Sequence, residues 1–211
     1  MWECPDFFPL GDQWVFLCSP MGAGERTTVY FVGDFDYRTG SFTYTVTGEA
    51  DWGFDFYAPQ TFLDHRNRRI MVGWANEWDW MPFWKDWGPT WREGWCGSFA
   101  IPREIRLNDG LTLSATPVSE VKLLYGEKAP IPSELEVGEE PTSIQVGDGV
   151  AYELAFDIDL TKTDASSLTL KLRQHDDHAL TVTFDFTAAQ LRVDRNLSLI
   201  HISEPTRHLR I

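Results

Sequence analysis

Residues 12–48 read DQWVFLCSPMGAGERTTVYFVGDFDYRTGSFTYTVTG, and this stretch decides the fold class. It contains three short apolar or alternating segments, at residues 14–18, 28–32 and 41–46, separated by turns that contain glycine or proline. Segments of this length that are rich in β-branched and aromatic residues predict strands, and no helical period intervenes. The sequence therefore predicts an all-β fold, and the even spacing suits the four-stranded blades of a β-propeller.

The strand pattern continues towards the C-terminus. Further short strands are predicted at residues 69–75, 98–101, 104–107 and 111–115, and residues 117–128 indicate a linker with one helical turn. A second β region then has predicted strands at residues 142–146, 151–160, 167–172, 179–186 and 190–193. Within residues 151–160 the apolar side chains alternate, which is typical of a β-sandwich strand with one solvated face.

Composition excludes some classes of partner. The chain has 211 residues and a net charge of −14. Nucleic-acid binding requires clustered Lys and Arg, and the sequence has no such cluster, so no nucleic acid is expected as a partner. No apolar run approaches the roughly 20 residues that a membrane-spanning helix needs, so no membrane partner is expected either. The oligomeric state is left open.

Tryptophan and cysteine are distributed unevenly. Eight of the ten tryptophans lie between Trp52 and Trp95, mostly in a long connection at residues 76–97, and loops of this length are usually functional. Indole rings fill cores and interfaces but also stack on sugars, so both interpretations stay open. The three cysteines are scattered, which predicts buried free thiols rather than a zinc site. They are Cys4, Cys18 and Cys96.

The first eight residues, Met1-Trp2-Glu3-Cys4-Pro5-Asp6-Phe7-Phe8, place one carboxylate between an indole and a thiol. A carboxyl group enclosed by apolar neighbours can keep its proton near neutral pH, as a general acid must. A glutamate this close to a terminus is also commonly an exposed residue on a frayed end. The residues alone therefore leave the role of Glu3 open, and they favour a turn or cap role for Asp6.

Four stretches of the chain resemble motifs of one enzyme family. WECPDFF at residues 2–8 resembles the acid/base motif of glycoside hydrolase family 32, which contains invertases, levanases, inulinases and sucrose-6-phosphate hydrolases. DWGFDFYAPQTFL at residues 51–63, RRIMVGW at 68–74 and IPREI at 101–105 resemble further motifs of the family, in the family's order. The resemblance covers residues 1 to about 125 well and continues weakly to about 195.

This resemblance implies a fold and a set of boundaries. The expected fold is the last blades of a five-bladed β-propeller, residues 1–117, followed by a linker, residues 118–129, and a truncated β-sandwich, residues 130–197. Residues 198–211, SLIHISEPTRHLRI, resemble a translated sequencing adapter and are expected to be a non-native tail. Val193-Asp194-Arg195, just before them, resembles an Asp-Arg motif of the family.

The resemblance also assigns residues to a site. It implies that Glu3 is the acid/base, which protonates the leaving glycosidic oxygen and later deprotonates the attacking water. Tyr57 is expected to line the fructose pocket and Trp74 to close its floor, with a blade-core role for Trp74 equally open. Asp55 and Tyr57, as alternate residues of one predicted strand, should share a face. Asp55 is thus a candidate hydrogen-bond partner for sugar hydroxyls or for Tyr57, and Arg103 is interpreted as a structural ion-pair former.

The family's nucleophile motif Asn-Asp-Pro-Asn and its Arg-Asp-Pro motif occur nowhere in the chain. We therefore expect Met1 to be an internal methionine of a longer protein and the nucleophile to lie outside this chain. The function expected of that protein is hydrolysis of β-fructosides such as sucrose, fructo-oligosaccharides, inulin or levan, with this chain supplying the acid/base half and inactive alone.

Two alternatives remain, a fructosyltransferase of the same fold and a non-catalytic sugar-binding propeller. No cofactor is implied by the resemblance. The segment His175-Asp-Asp-His178 is interpreted as a solvated turn rather than a metal site. The expected partner is therefore a fructoside carbohydrate.

Overall fold

The computed structural model describes residues 1–24, 26–75, 94, 97–144 and 151–197, together with the backbone of Arg207–Arg210. Its regular structure is almost entirely antiparallel strand, as the alternating sequence predicts. The strands are β1 (Trp2–Leu10), β2 (Gln13–Pro20), β3 (Val29–Asp36), β4 (Ser41–Glu49), β5 (Tyr57–Leu63), β6 (Arg69–Trp74), β7 (Arg103–Leu107), β8 (Leu113–Pro117), β9 (Ser167–His175), β10 (His178–Asp185), β11 (Gln190–Asp194) and β12 (Arg207–Arg210).

The first sheet is a four-stranded antiparallel meander in the order β1-β2-β3-β4. The three strands predicted from residues 12–48 are confirmed as β2, β3 and β4. β3 and β4 come unusually close at Gly33, where a Cβ atom would lie 2.1 Å from the Thr43 carbonyl oxygen. The pairing register also shifts between Val32 and Gly33, so a glycine is needed to make this bulge.

The second sheet is a meander in the order β5-β6-β7-β8, and the first strands of the two sheets, β1 and β5, lie against each other. The predicted strands near residues 69, 104 and 111 are confirmed as β6, β7 and β8. An apolar core fills the space between the sheets, and each fully buried large side chain in it contributes about 1.5 to 3 kcal/mol. This core contains Phe8, Val15, Leu17, Tyr30, Val32, Phe56, Met71, Ala100 and Ile105. Two meanders that pack face to face through such a core match neighbouring propeller blades.

A third antiparallel sheet has the order β12-β11-β10-β9 and belongs to the same unit as the first two, Met1–Val118 with Ala165–Ile211. The predicted strands near residues 167, 179 and 190 are confirmed as β9, β10 and β11. A hairpin turn at residues 176–177 joins β9 to β10, and the side chains of His175 and Asp176 there are largely exposed. The predicted solvated turn is thus confirmed.

The second unit is Ser119–Asp164. It holds two short 3-10 helices, Ser119–Leu124 and Leu160–Lys162, and the first coincides with the helical turn predicted for the linker. The Asp159 carboxylate caps the second helix, because its Oδ1 atom accepts hydrogen bonds from the Thr161 amide and hydroxyl at 3.0 and 2.6 Å.

Several predicted strands do not form in the described residues. Residues 151–159 adopt no strand, and the apolar side chains of Tyr152, Leu154 and Phe156 are exposed. Alternation produces a strand only where a neighbouring strand pairs with the backbone, and no described strand pairs with this segment. Residues 98–101 form only an isolated bridge between Trp74 and Phe99. Residues 142–144 also lack a strand, and 145–146 lie outside the described residues.

Other predictions fall almost wholly outside the described part of the chain, including the Trp-rich connection at residues 76–97 and most of residues 198–211.

The backbone of β12 pairs with β11, from Gln190 opposite Arg210 to Val193 opposite Arg207. The domain boundaries and the foreign origin of the tail stay predictions. Across the described ranges, no helix has the length and apolar character needed to cross a membrane.

Candidate active site

Glu3 lies near the start of β1, beside an irregularity in the strand. The register between β1 and β2 shifts between Glu3 and Asp6, and Cys4 adopts a φ of 48°. A residue in the left-handed region marks a bulge that redirects the neighbouring side chains, and bulges are common next to active sites. The Glu3 side chain is half-buried and points towards β5 rather than fraying into solvent.

The hydroxyl of Tyr57 donates a hydrogen bond to Oε2 of Glu3 over 2.8 Å. Tyr57 is the first residue of β5 and only 3% exposed, so packing holds its ring in place. Its ring meets the indole of Trp74 edge-on with the ring centroids 6.4 Å apart, and the two residues are paired across β5 and β6. The fold thus brings together three of the four residues that the sequence assigned to the sugar pocket.

A second bulge lies in β5, next to the first. Ala58 has a φ of 50°, and the register with β6 shifts between Tyr57 and Gln60. The Gln60 side-chain amide donates a hydrogen bond to the Cys4 carbonyl oxygen over 3.1 Å. This hydrogen bond links the two irregular segments, so the side chains of Glu3 and Tyr57 both come from irregular positions in neighbouring strands.

Asp55 lies apart from this cluster. β5 begins at Tyr57, so the expectation that Asp55 and Tyr57 share a strand face is wrong: side chains alternate regularly only within a strand. Nη1 of Arg195 donates to Oδ2 of Asp55 over 2.5 Å, and the guanidinium lies 4.3 Å from the centre of the Phe54 ring. This pairing could not be predicted from local pattern, because 140 positions separate the two residues. A sugar-binding role for Asp55 stays a prediction.

Arg103 is an ion-pair former, as predicted. Its Nη1 atom contacts Oδ2 of Asp51, and its guanidinium lies 4.6 Å from the centre of the Phe56 ring. The loop that leads into β5 is therefore held by one arginine near Asp51 and by another at Asp55. Glu49 and loop residues 50–55 line a cavity of about 540 Å³ together with Arg103, Leu113 and Ala115, and the Glu3 cluster does not contribute to its lining.

Asp6 lies within β1, so the turn or cap predicted for it is wrong, although its role is structural. Its Oδ2 atom accepts hydrogen bonds from the amide and the hydroxyl of Thr61, both at 2.7 Å, and ties β1 to β5. The guanidinium of Arg69 lies 4.7 Å from the centre of the Phe8 ring. Burial lowers the pKa of Arg69, and the nearby Asp6 carboxylate opposes that shift.

The cysteines differ from one another. Cys18 is buried, and burial raises the pKa of its thiol, whereas Cys4 is exposed, so the prediction of a buried thiol is wrong there. Cys96 lies outside the described residues. In the part of the chain that the structure describes, no group of three or more His, Cys, Asp or Glu side chains is placed to hold a metal ion.

The arrangement at Glu3 suits proton transfer to a sugar oxygen. A phenolic hydroxyl orients the carboxyl group, and an indole lies alongside, which is a combination that can bind a sugar and exchange a proton with it. Retaining glycosidases need a second carboxyl group roughly 5 Å from the first. Asp6, three residues from Glu3 in β1, is already engaged by Thr61, and Asp55 is engaged by Arg195.

Blades of a propeller followed by a second β region define the class of the fold, and comparison with known families gives the family. Residues 1–117 match the N-terminal domain of glycosyl hydrolases family 32, and residues 121–208 match the C-terminal domain of the same family. The chain therefore belongs to glycoside hydrolase family 32, and the resemblance seen in its motifs is confirmed.

Curated relatives carry one recurring name. The chain is 38% identical to a sucrose-6-phosphate hydrolase of Salmonella typhimurium over 136 residues, which cover 60% of this chain and 28% of the relative. It is 33% identical to the enzyme of the same name from Vibrio alginolyticus, over 83% of this chain and 37% of the relative. The chain thus spans well under half the length of these relatives.

Solved structures agree on the fold. A sucrose-6-phosphate hydrolase from Lactobacillus gasseri matches all of this chain with a TM-score of 0.70 and 19% identity, over 43% of its own length. A family 32 β-fructofuranosidase from Bombyx mori matches all of it with a TM-score of 0.65 and 23% identity, over 42% of its own length. These matches confirm an all-β fold that corresponds to part of a propeller followed by a β-sandwich.

Proposed function

We propose that the protein containing this chain is a retaining glycoside hydrolase that acts on β-fructosides, with Glu3 as its acid/base. The observation that carries the proposal is the hydrogen bond from the Tyr57 hydroxyl to the Glu3 carboxylate, beside Trp74. Membership of family 32 supports the reaction class. The names of the relatives, sucrose-6-phosphate hydrolase and β-fructofuranosidase, support a fructoside as the substrate.

In this proposal, Glu3 acts twice. The protonated carboxyl group gives its proton to the leaving glycosidic oxygen as the bond to the anomeric carbon breaks, while a nucleophilic carboxylate forms an ester with that carbon. The Glu3 carboxylate then takes a proton from a water molecule, whose oxygen attacks the anomeric carbon and releases the nucleophile. Tyr57 can hold Glu3 in both protonation states, because a hydroxyl group both donates and accepts hydrogen bonds.

We place the nucleophile outside these 211 residues, because neither family motif that would supply it occurs in them. Asp6 and Asp55 are poor substitutes. Each is already engaged, Asp6 by two hydrogen bonds from Thr61 and Asp55 by Arg195. This chain accordingly supplies the acid/base half of the site.

The test uses the purified full-length protein and measures fructose release from sucrose, sucrose 6-phosphate, inulin and levan. Sucrose or its 6-phosphate is expected to be cleaved fastest, and added methanol should yield the β-methyl fructoside, as retention requires. Glu3→Gln is the matched control. Transfer of fructose to a sugar in preference to water would make the protein a fructosyltransferase, and binding of fructosides without turnover would make it a binding module.

A further inference from the structure

Two buried hydroxyl groups lie behind the Glu3–Tyr57 pair. Ser19, on β2, and Thr28, just before β3, are both 0% exposed, and their side-chain oxygens are 3.2 Å apart. The amide of Ala58 donates to Oγ of Ser19 over 2.9 Å, and the Thr28 hydroxyl donates to the Phe56 carbonyl oxygen over 3.5 Å. Buried hydroxyl groups are costly unless they are hydrogen-bonded, so these contacts account for two polar groups inside an apolar core.

The partners favour one direction for this series of hydrogen bonds. The Phe56 carbonyl oxygen can only accept, so the Thr28 hydroxyl is the donor in this contact, which at 3.5 Å is long for a hydrogen bond between two oxygens. With the Thr28 proton directed at Phe56, Ser19 is the donor to Thr28, and Oγ of Ser19 accepts from the Ala58 amide. Each hydroxyl donates once and accepts once along this chain, an arrangement in which successive hydrogen bonds strengthen one another.

The two ends of this series of hydrogen bonds flank Tyr57. One end holds the carbonyl group of the residue before it, and the other holds the amide of the residue after it. Ala58 has a φ of 50°, which is unfavourable for a residue with a side chain and persists only where the surroundings impose it. Ser19 is also the register partner of Glu3 between β1 and β2, so it adjoins both members of the pair.

We propose that Ser19 and Thr28 are positioning residues, which fix the backbone on both sides of Tyr57 and so aim its hydroxyl at Glu3. This inference rests on the proposed acid/base role of Glu3. Neither hydroxyl contacts the substrate in this proposal. They act through Tyr57, so their loss shifts the hydroxyl group that donates a hydrogen bond to Glu3 without removing that hydroxyl.

The chain offers closely matched variants. Thr28→Val keeps the shape of the side chain and removes the hydroxyl, Thr28→Ser keeps the hydroxyl, and Ser19→Ala removes the acceptor for the Ala58 amide. The control is Thr27→Val: Thr27 is 4% exposed, next in sequence, and its hydroxyl has no hydrogen-bond partner among the described residues. Should Ser19→Ala fail to fold, the isosteric Thr28→Val carries the test.

The measurement is steady-state kinetics of the full-length protein on sucrose and on an aryl fructoside whose leaving group needs no protonation. Thr28→Val and Ser19→Ala should lower kcat for sucrose roughly 10- to 100-fold, the scale of a misplaced catalytic group, with little change in KM. The loss on the aryl fructoside should be clearly smaller, while Thr28→Ser and Thr27→Val should stay near wild type. Equal losses on both substrates, or a lowered Tm with unchanged kcat, would show a merely structural role and overturn the proposal.

A second readout does not depend on turnover. In the wild-type background the Tm effects of Tyr57→Phe and Glu3→Ala should be non-additive, because each change removes one partner of the hydrogen bond between these side chains. In the Thr28→Val background this coupling should shrink, and in the Thr27→Val background it should not. If the coupling changes as predicted but the protein has no fructosidase activity, only the proposed function is refuted. If Thr28→Val leaves the coupling unchanged, the positioning role is refuted.

Discussion

Glu3 and Tyr57 are separated by 54 positions in the chain and meet through one hydrogen bond. In the full-length protein, Glu3→Gln should preserve the fold, since glutamine has nearly the same shape and can still accept from Tyr57. It should slow sucrose hydrolysis roughly 10²- to 10⁴-fold, the usual contribution of a general acid. Fructose release from sucrose and from an activated aryl fructoside is the measurement, with the smaller loss expected on the latter. Equal losses would assign Glu3 another role.

The cysteines give a prediction about chemical reactivity. Alkylation requires the thiolate, and burial raises the pKa of Cys18, so its thiolate fraction below that pKa is smaller than that of an ordinary thiol. Iodoacetamide at mildly alkaline pH should therefore modify the exposed Cys4 before Cys18, as peptide mass spectrometry would show. In denaturant the two rates should converge. Faster modification of Cys18 in the folded protein would contradict its burial.

The same residues show what the sequence could predict at this scale. Glu3, Tyr57 and Trp74 were found by resemblance, and they do come together in space. The error with Asp55 arose because the position where β5 begins depends on tertiary pairing with β6, not on local alternation. Arg195 as the partner of Asp55, and Ser19 and Thr28 behind Tyr57, depend on packing between distant elements, which a single sequence does not encode locally.

At the scale of elements, the loop before β5 depends on arginines from elsewhere in the chain. The Arg195–Asp55 pair is partly buried, with side-chain exposures of 14% and 32%. Arg195→Ala should lower the free energy of unfolding by about 1 to 3 kcal/mol, because it leaves a partly buried carboxylate without its charged partner. Urea denaturation of the full-length protein measures this change.

Two further variants serve as controls for the Arg195→Ala experiment. Lys162→Ala removes an ion pair whose side chains are 84% and 49% exposed, and it should change stability by less than about 1 kcal/mol. The double variant Asp55→Ala with Arg195→Ala should cost less than the sum of the single changes, since contacting residues are not additive. Additive costs would mean that Arg195 stabilises the fold only through Phe54.

Strands were predicted well where consecutive strands pair with each other. β2, β3 and β4 are consecutive in the chain and each pairs with the next, so each strand has its partner nearby in sequence and alternation suffices. Residues 151–159 alternate equally well, yet form no strand, because alternation specifies two faces but does not supply a neighbour. Strand pairing between distant segments is the information that local pattern lacks.

At the scale of the whole molecule, the first sheet has two apolar faces. One contributes to the core, and the opposite face carries a cluster of aromatic rings in which Trp2 stacks on Phe31 and Phe31 contacts Tyr44. Trp2 and Tyr44 are 62% and 55% exposed. A contiguous exposed aromatic surface of this kind favours association, so the 211-residue chain is expected to express poorly and to aggregate.

The last prediction concerns the activity of these 211 residues alone. Covalent glycosidase catalysis needs a nucleophilic carboxylate opposite the acid, and neither family motif that would supply it is present. The purified chain should therefore release no fructose from sucrose or inulin, and its Glu3→Gln variant should be indistinguishable from it. Full-length protein, assayed in parallel, controls for the substrates. Turnover by the chain that Glu3→Gln abolishes would show that a carboxylate within it serves as the nucleophile, with Asp6→Asn and Asp55→Asn the variants to identify which.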